Sequence, residues 1–102
     1  MVLLELSVTP MGAGESVSDA VAKCVDLIDR SGLPYELHAM GTIVEGELEH
    51  VVDLLQECVA LLAEDHDRVT CVAKLDYRNG PSGRLRAKVA SVENKLGRAA
   101  GR

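Results

Sequence analysis

The sequence contains no phenylalanine and no tryptophan, and only two tyrosines among its 102 residues. Large rings usually dominate buried area, so a core here must be built from Leu, Val, Ile and Ala. Each helix and sheet face then needs a broad apolar stripe, and association with further copies is a natural way to bury what remains. No run approaches the roughly 20 apolar residues of a membrane-spanning helix. The opening MVLLELSV is too short, and carries Glu5 too early, for a secretory signal peptide, so a cytoplasmic protein is expected. Positive charge is scarce as well: 11 Lys and Arg stand against 16 Asp and Glu, a formal net charge of −5. Phosphate recognition needs the opposite balance, which turns attention from nucleic acids and anionic membranes to small molecules and protein partners. Cysteines are few: Cys24, Cys58 and Cys71 are odd in number, widely spaced and set in apolar periodic segments, with no paired-Cys motif of the kind that binds zinc. They are expected to be buried, reduced thiols acting as small hydrophobes.

What is present reads as one domain of about 100 residues, with residues 1–98 folded and 99–102 a disordered tail. Val2, Leu4, Leu6 and Val8 alternate with Leu3, Glu5, Ser7 and Thr9, the period of a strand with one apolar face, and Pro10 ends it. After the loop MGAGE, Ser16 with Asp19 resembles a capping box. Val17, Val21, Cys24, Val25 and Ile28 then mark a first helix, stopped at Ser31-Gly32. Residues 35–39 and 42–45 predict two strands joined at Met40-Gly41, where glycine relieves a turning backbone. Leu48, Val51, Val52, Leu55, Cys58, Val59 and Leu62 define a second helix, and residues 68–78 a fourth strand. Past a turn at residues 79–83, Leu85, Val89, Val92 and Leu96 share a stripe on a third helix, to lie against the domain or a neighbour.

The order βαββαβ predicts an α+β fold, a ferredoxin-like sandwich with two helices on one face of a four-stranded antiparallel sheet and an extra C-terminal helix. The opposite face is then open. If even-numbered residues of the first strand face the helices, Leu3, Glu5, Ser7 and Thr9 line that open face, joined by Thr70, Val72, Lys74 and Asp76. Such a mixed surface suits pairing with a second sheet around a small ligand; it also suits plain solvation and cross-strand ion pairs.

The segments SVTPMGAGESVSDAVAKCVDLIDRSGLPYELHAMGTIVEGELEHVV, VAKLDYR and KVASVENKL, spanning about residues 4–96, resemble the small single-domain thiamine-binding proteins of the YkoF-like superfamily. The resemblance implies a ferredoxin-like subunit that dimerises through its sheets, often into a homotetramer, and binds thiamine or its pyrimidine moiety between subunits without converting it. Thiamine has a cationic thiazolium ring and an aminopyrimidine edge of donors and acceptors. On that reading Glu45 supplies a carboxylate, Thr42 a hydroxyl and Met40 an apolar wall. Gly41 and Gly46 allow close backbone approach, Ser7 and Thr9 hydrogen-bond the pyrimidine edge, and Asp76 adds a second negative charge. In the structural alternative, Gly41 serves only the hairpin, and Glu45 and Glu47 only favour the start of the second helix through its dipole.

Other signals are weaker. His38 and His50 have no acidic residues at metal-ligand spacing, and His66, in AEDHDR, is expected in the exposed loop after the second helix. No catalytic serine elbow, phosphate-binding loop or poised Cys and His pair is evident, so neither an enzyme nor a resident cofactor or metal is expected. The glycine-rich loop at residues 12–15 can hold an anion at a helix start, although Glu15 opposes it. Arg84, Arg86 and Lys88 read as a solvated face or subunit contact. The competing functional readings are a ferredoxin-like regulatory module that binds an amino acid or another small metabolite, and a small enzyme whose site forms only between subunits.

Overall fold

A computed structural model describes residues 1–12, 17–80 and 83–101. The elements are β1 (Val2–Pro10), α1 (Val17–Arg30), β2 (Tyr35–His38), β3 (Gly41–Gly46), α2 (Leu48–Ala63), β4 (Val69–Tyr77) and α3 (Arg84–Leu96). The strands form one antiparallel sheet in the order β2-β3-β1-β4, the ferredoxin-like arrangement expected from the element order. Ser16 and residues 13–15, where the capping box and the anion-binding loop were expected, lie outside the described residues.

The core is aliphatic, as a chain without large rings requires. Val2, Leu4, Leu6 and Val8 of β1 are buried beneath Ala20, Cys24 and Ile28 of α1 and Val51, Leu54, Cys58 and Leu62 of α2. Each larger aliphatic side chain buried there contributes about 1.5–3 kcal/mol. The register sets the other face: Leu3 lies opposite Asp76, Glu5 opposite Lys74, Ser7 opposite Val72 and Thr9 opposite Thr70. These pairs stand on the side away from α1 and α2, as the alternation of β1 predicts.

Several details differ from the sequence reading. The turn between β2 and β3 is Ala39-Met40, and Gly41 is already a strand residue opposite His38. Its φ is not positive; what glycine provides is room, since a Cβ there would lie a tight 3.2 Å from the Leu6 carbonyl oxygen. On α2 the buried stripe runs through Leu54, while Leu48 and Val52 are exposed. The helix is apolar over so wide an arc that its inward face could not be read from spacing alone. At the end of α1 the expectation holds: the Ser31 hydroxyl donates to the Ile28 carbonyl, and Gly32 adopts φ of 79°, the left-handed backbone that stops a helix.

α3 lies on the other side of the sheet and packs against β3. Leu85 is half-buried, but Val89, Val92 and Leu96 are exposed, so the apolar stripe of this helix is largely bare in a single chain.

Candidate functional site

The hairpin of β2 and β3 is shorter than β1. Pairing between β1 and β3 ends where Leu6 meets Thr42, whereas β4 accompanies β1 to Pro10. Residues 7–10 are therefore paired on one side only among the described residues, which leaves a notch bounded by the hairpin tip and α1. It holds a cavity of about 240 Å³. Ser7, Thr9, Met40, Gly41 and Thr42 all line it, so five of the seven predicted ligand residues come together. Val21, Val25 and Ile28 of α1 make an apolar wall, and His38 stands at the hairpin side.

Thr42 points to the helix-covered side of β3, next to the position of Leu6, and is only 5% exposed. At the hairpin tip Met40 is 88% exposed and free to cover whatever enters. Strand pairing normally consumes backbone N–H and C=O groups; along the notch, alternate residues of β1 have no strand partner for theirs among the described residues. A main-chain edge, the Thr42 hydroxyl and a flat apolar wall suit a planar heterocycle with donors and acceptors along one side, with the Ser7 and Thr9 hydroxyls on the open face beside it. None of the described residues lining the cavity is a carboxylate.

Glu45 and Asp76 lie elsewhere, on the open face at the far end of the sheet, in the row that contains Leu3. Glu45 is 2% exposed, and its carboxylate accepts the backbone N–H of Arg84 at 2.9 Å and that of Leu85 at 3.4 Å. It thus satisfies the free N–H groups of the first turn of α3, an interaction strengthened by the helix dipole. The dipole role weighed for Glu45 is therefore real but belongs to α3; Glu47 is the N-cap residue of α2 and makes no side-chain capping bond. The Asp76 carboxylate accepts from the Arg84 guanidinium at 2.6 Å and from Lys88 at 2.7 Å. Those two cations, Lys88 foremost, hold its pKa below the ordinary carboxylate value. Gly46 makes room for protein, since a Cβ would meet Val51 at 3.1 Å and Leu33 at 3.2 Å.

Arg84 was missed as a structural centre. Its side chain is buried, bonded to both the backbone and the carboxylate of Asp76. A cation in the first turn of a helix opposes the dipole, and that conflict was the available sign that an acidic partner waits for it. The three cysteines, distant in sequence, share the core: the Cys24 thiol lies 3.9 Å from the Cys58 carbonyl oxygen, and Cys71 packs against the same cluster, where burial, and after it charge at Cys24, raises its pKa. Among the described residues no group of three or more His, Cys, Asp and Glu could hold a metal ion, and no helix is long and apolar enough to cross a membrane.

Comparison with known proteins bears on the family and the fold. The model of the thiamine-binding protein family matches residues 4–93. A UPF0045 protein of Mycobacterium bovis is 39% identical over 96 residues, covering 93% of this chain and 94% of the relative. The crystal structure of a Methanocaldococcus jannaschii protein superposes with a TM-score of 0.81 at 32% identity, over 89% of this chain and 94% of that one. A candidate thiamine biosynthesis or salvage protein of Thermotoga maritima shares the fold, with a TM-score of 0.78 at 24% identity over 89% and 97% of the two chains.

Proposed function

Since the chain belongs to the thiamine-binding protein family, we propose that it binds thiamine or the aminopyrimidine moiety of thiamine in the notch beside β1, without converting it, as a homo-oligomer. The observation that carries this reading is the bare edge of β1 next to the hydroxyls of Ser7, Thr9 and Thr42. An aminopyrimidine offers alternating donors and acceptors on one edge, as a strand does, and its ring is flat enough to lie against Val21 and Val25. The thiazolium ring then points towards the open side. Its positive charge needs a carboxylate, and Glu45 and Asp76 of the same chain are held by α3. A second subunit laid over the open face supplies the remaining contacts, so the site is completed between copies.

The exposed apolar residues support that assembly. Val72 is 66% exposed on the open face of the edge strand β4, and Val89, Val92 and Leu96 are exposed on α3. Calorimetric titration with thiamine, the free aminopyrimidine and a panel of amino acids tests the reading. Heat from the two thiamine-related compounds alone is expected; heat from amino acids alone assigns a regulatory module instead. Recovery of unchanged ligand after long incubation is the expected result for binding without chemistry.

A further inference from the structure

Cys24 and Cys58 occupy the central buried positions of α1 and α2, helices that pack directly against each other. Cys24 differs in one respect: it is 6% exposed, against 0% for Cys58, and it lines the cavity. A small molecule that enters the notch therefore reaches the Cys24 sulfur, and beyond it lies residue 58, whose carbonyl oxygen is 3.9 Å from that sulfur. From these positions we infer that Cys24 and Cys58 are a reversible dithiol pair, with Cys24 the thiol that meets a peroxide through the cavity and Cys58 the one that closes the disulfide. The pairing does not rest on thiamine being the ligand.

Position sets the roles: Cys24 is the thiol that lines the cavity, and Cys58 is fully buried behind it. A hydrogen bond between the two side chains moves their pKa values apart, Cys24 down and Cys58 up, and the thiolate is the form that reacts. In the first step the Cys24 thiolate attacks one oxygen of hydrogen peroxide and the O–O bond breaks. The departing hydroxide takes up the proton that Cys24 released and becomes water, leaving a sulfenic acid. The Cys58 sulfur then attacks the Cys24 sulfur, the S–O bond breaks, and the departing hydroxide removes the Cys58 proton as a second water. Two thiols lose two electrons and one peroxide gains them. The product fastens α1, which forms the apolar wall of the cavity, to α2.

Graded hydrogen peroxide applied to the full chain, followed by alkylation of remaining thiols and mass spectrometry, tests the inference. The expected product is a monomer-length chain lighter by two hydrogen atoms, with the peptides containing Cys24 and Cys58 joined and released by dithiothreitol. Cys71→Ala should retain the link, whereas Cys24→Ala and Cys58→Ala should each lose it. A link from Cys24 to Cys71, links only between chains, or oxygen added to Cys24 with no link would each overturn the proposal, and all three are read from the unaltered protein.

Discussion

Thr42 takes the place on β3 where the pattern calls for another aliphatic side chain: its neighbour along that face, Val44, is fully buried opposite Leu4. Its hydroxyl makes no hydrogen bond among the described residues and faces the cavity. If that hydroxyl serves a ligand, Thr42→Val should leave stability unchanged or raised while weakening aminopyrimidine binding by about 1 kcal/mol, roughly fivefold. Denaturant midpoint and titration, measured on the same preparation, separate the two effects; lower stability at undiminished affinity would sink the assignment. Gly46→Ala addresses the scaffold instead. The new methyl would press on Val51 and Leu33 at 3.1–3.3 Å, so a loss of about 1–3 kcal/mol is expected from overpacking, seen as a lower denaturant midpoint. At this scale the sequence reading assigned the room at Gly41 and Gly46 to a ligand, or Gly41 to the hairpin, and could not see the protein atoms that approach them. The neighbours come from other elements: the Leu6 carbonyl for Gly41, and Leu33 with Val51 for Gly46.

Elements were the most legible scale, because period and punctuation are local. Alternation in β1 and the helical stripe of α1 could be read directly, and Gly32 marked a true helix end. The docking of α3 could not be read, since it depends on Glu45 reaching a backbone N–H 39 positions away. Two predictions concern this helix. Glu45→Ala removes the acceptor for the Arg84 and Leu85 N–H groups, a cap worth about 1–2 kcal/mol. Amide hydrogen exchange in α3 should rise severalfold while the core of α2 keeps its protection, and unaltered exchange in α3 would show that the cap holds nothing. The second prediction is acid dependence. Asp76 has a folded pKa below its unfolded value, so its contribution is complete above the ordinary carboxylate pKa of about 3.9 and is lost as pH falls through the lower folded value. Acidification from pH 5 towards pH 3 should loosen α3, and Asp76→Asn should flatten that response. Because this carboxylate is largely solvated, the effect should also shrink in high salt.

For the whole molecule, the decisive fact is how much apolar surface one chain leaves uncovered. A core without large rings closes beneath α1 and α2, but the opposite sheet face carries Val72, and α3 presents Val89, Val92 and Leu96 to water. That the second face would be open followed from counting helices against faces. How far α3 covers it depends on the contacts of Arg84 and Glu45, which composition does not reveal. A second copy is the occupant that fits, because its own bare face has the same composition and the same need, and a twofold axis makes one patch complementary to itself. Val72→Asp tests this directly. The position is 66% exposed, so the substitution costs a single chain little, yet it places a charge opposite its symmetry mate in a paired face, where an unpaired buried charge is expensive. Sedimentation should show the wild type as an oligomer and Val72→Asp as a folded monomer with a normal circular dichroism spectrum. If the site is completed between copies, thiamine affinity should fall with assembly although no residue of the notch has been altered. An oligomer that survives this charge must be joined through another surface, and a monomer that keeps full affinity must hold its ligand within one chain.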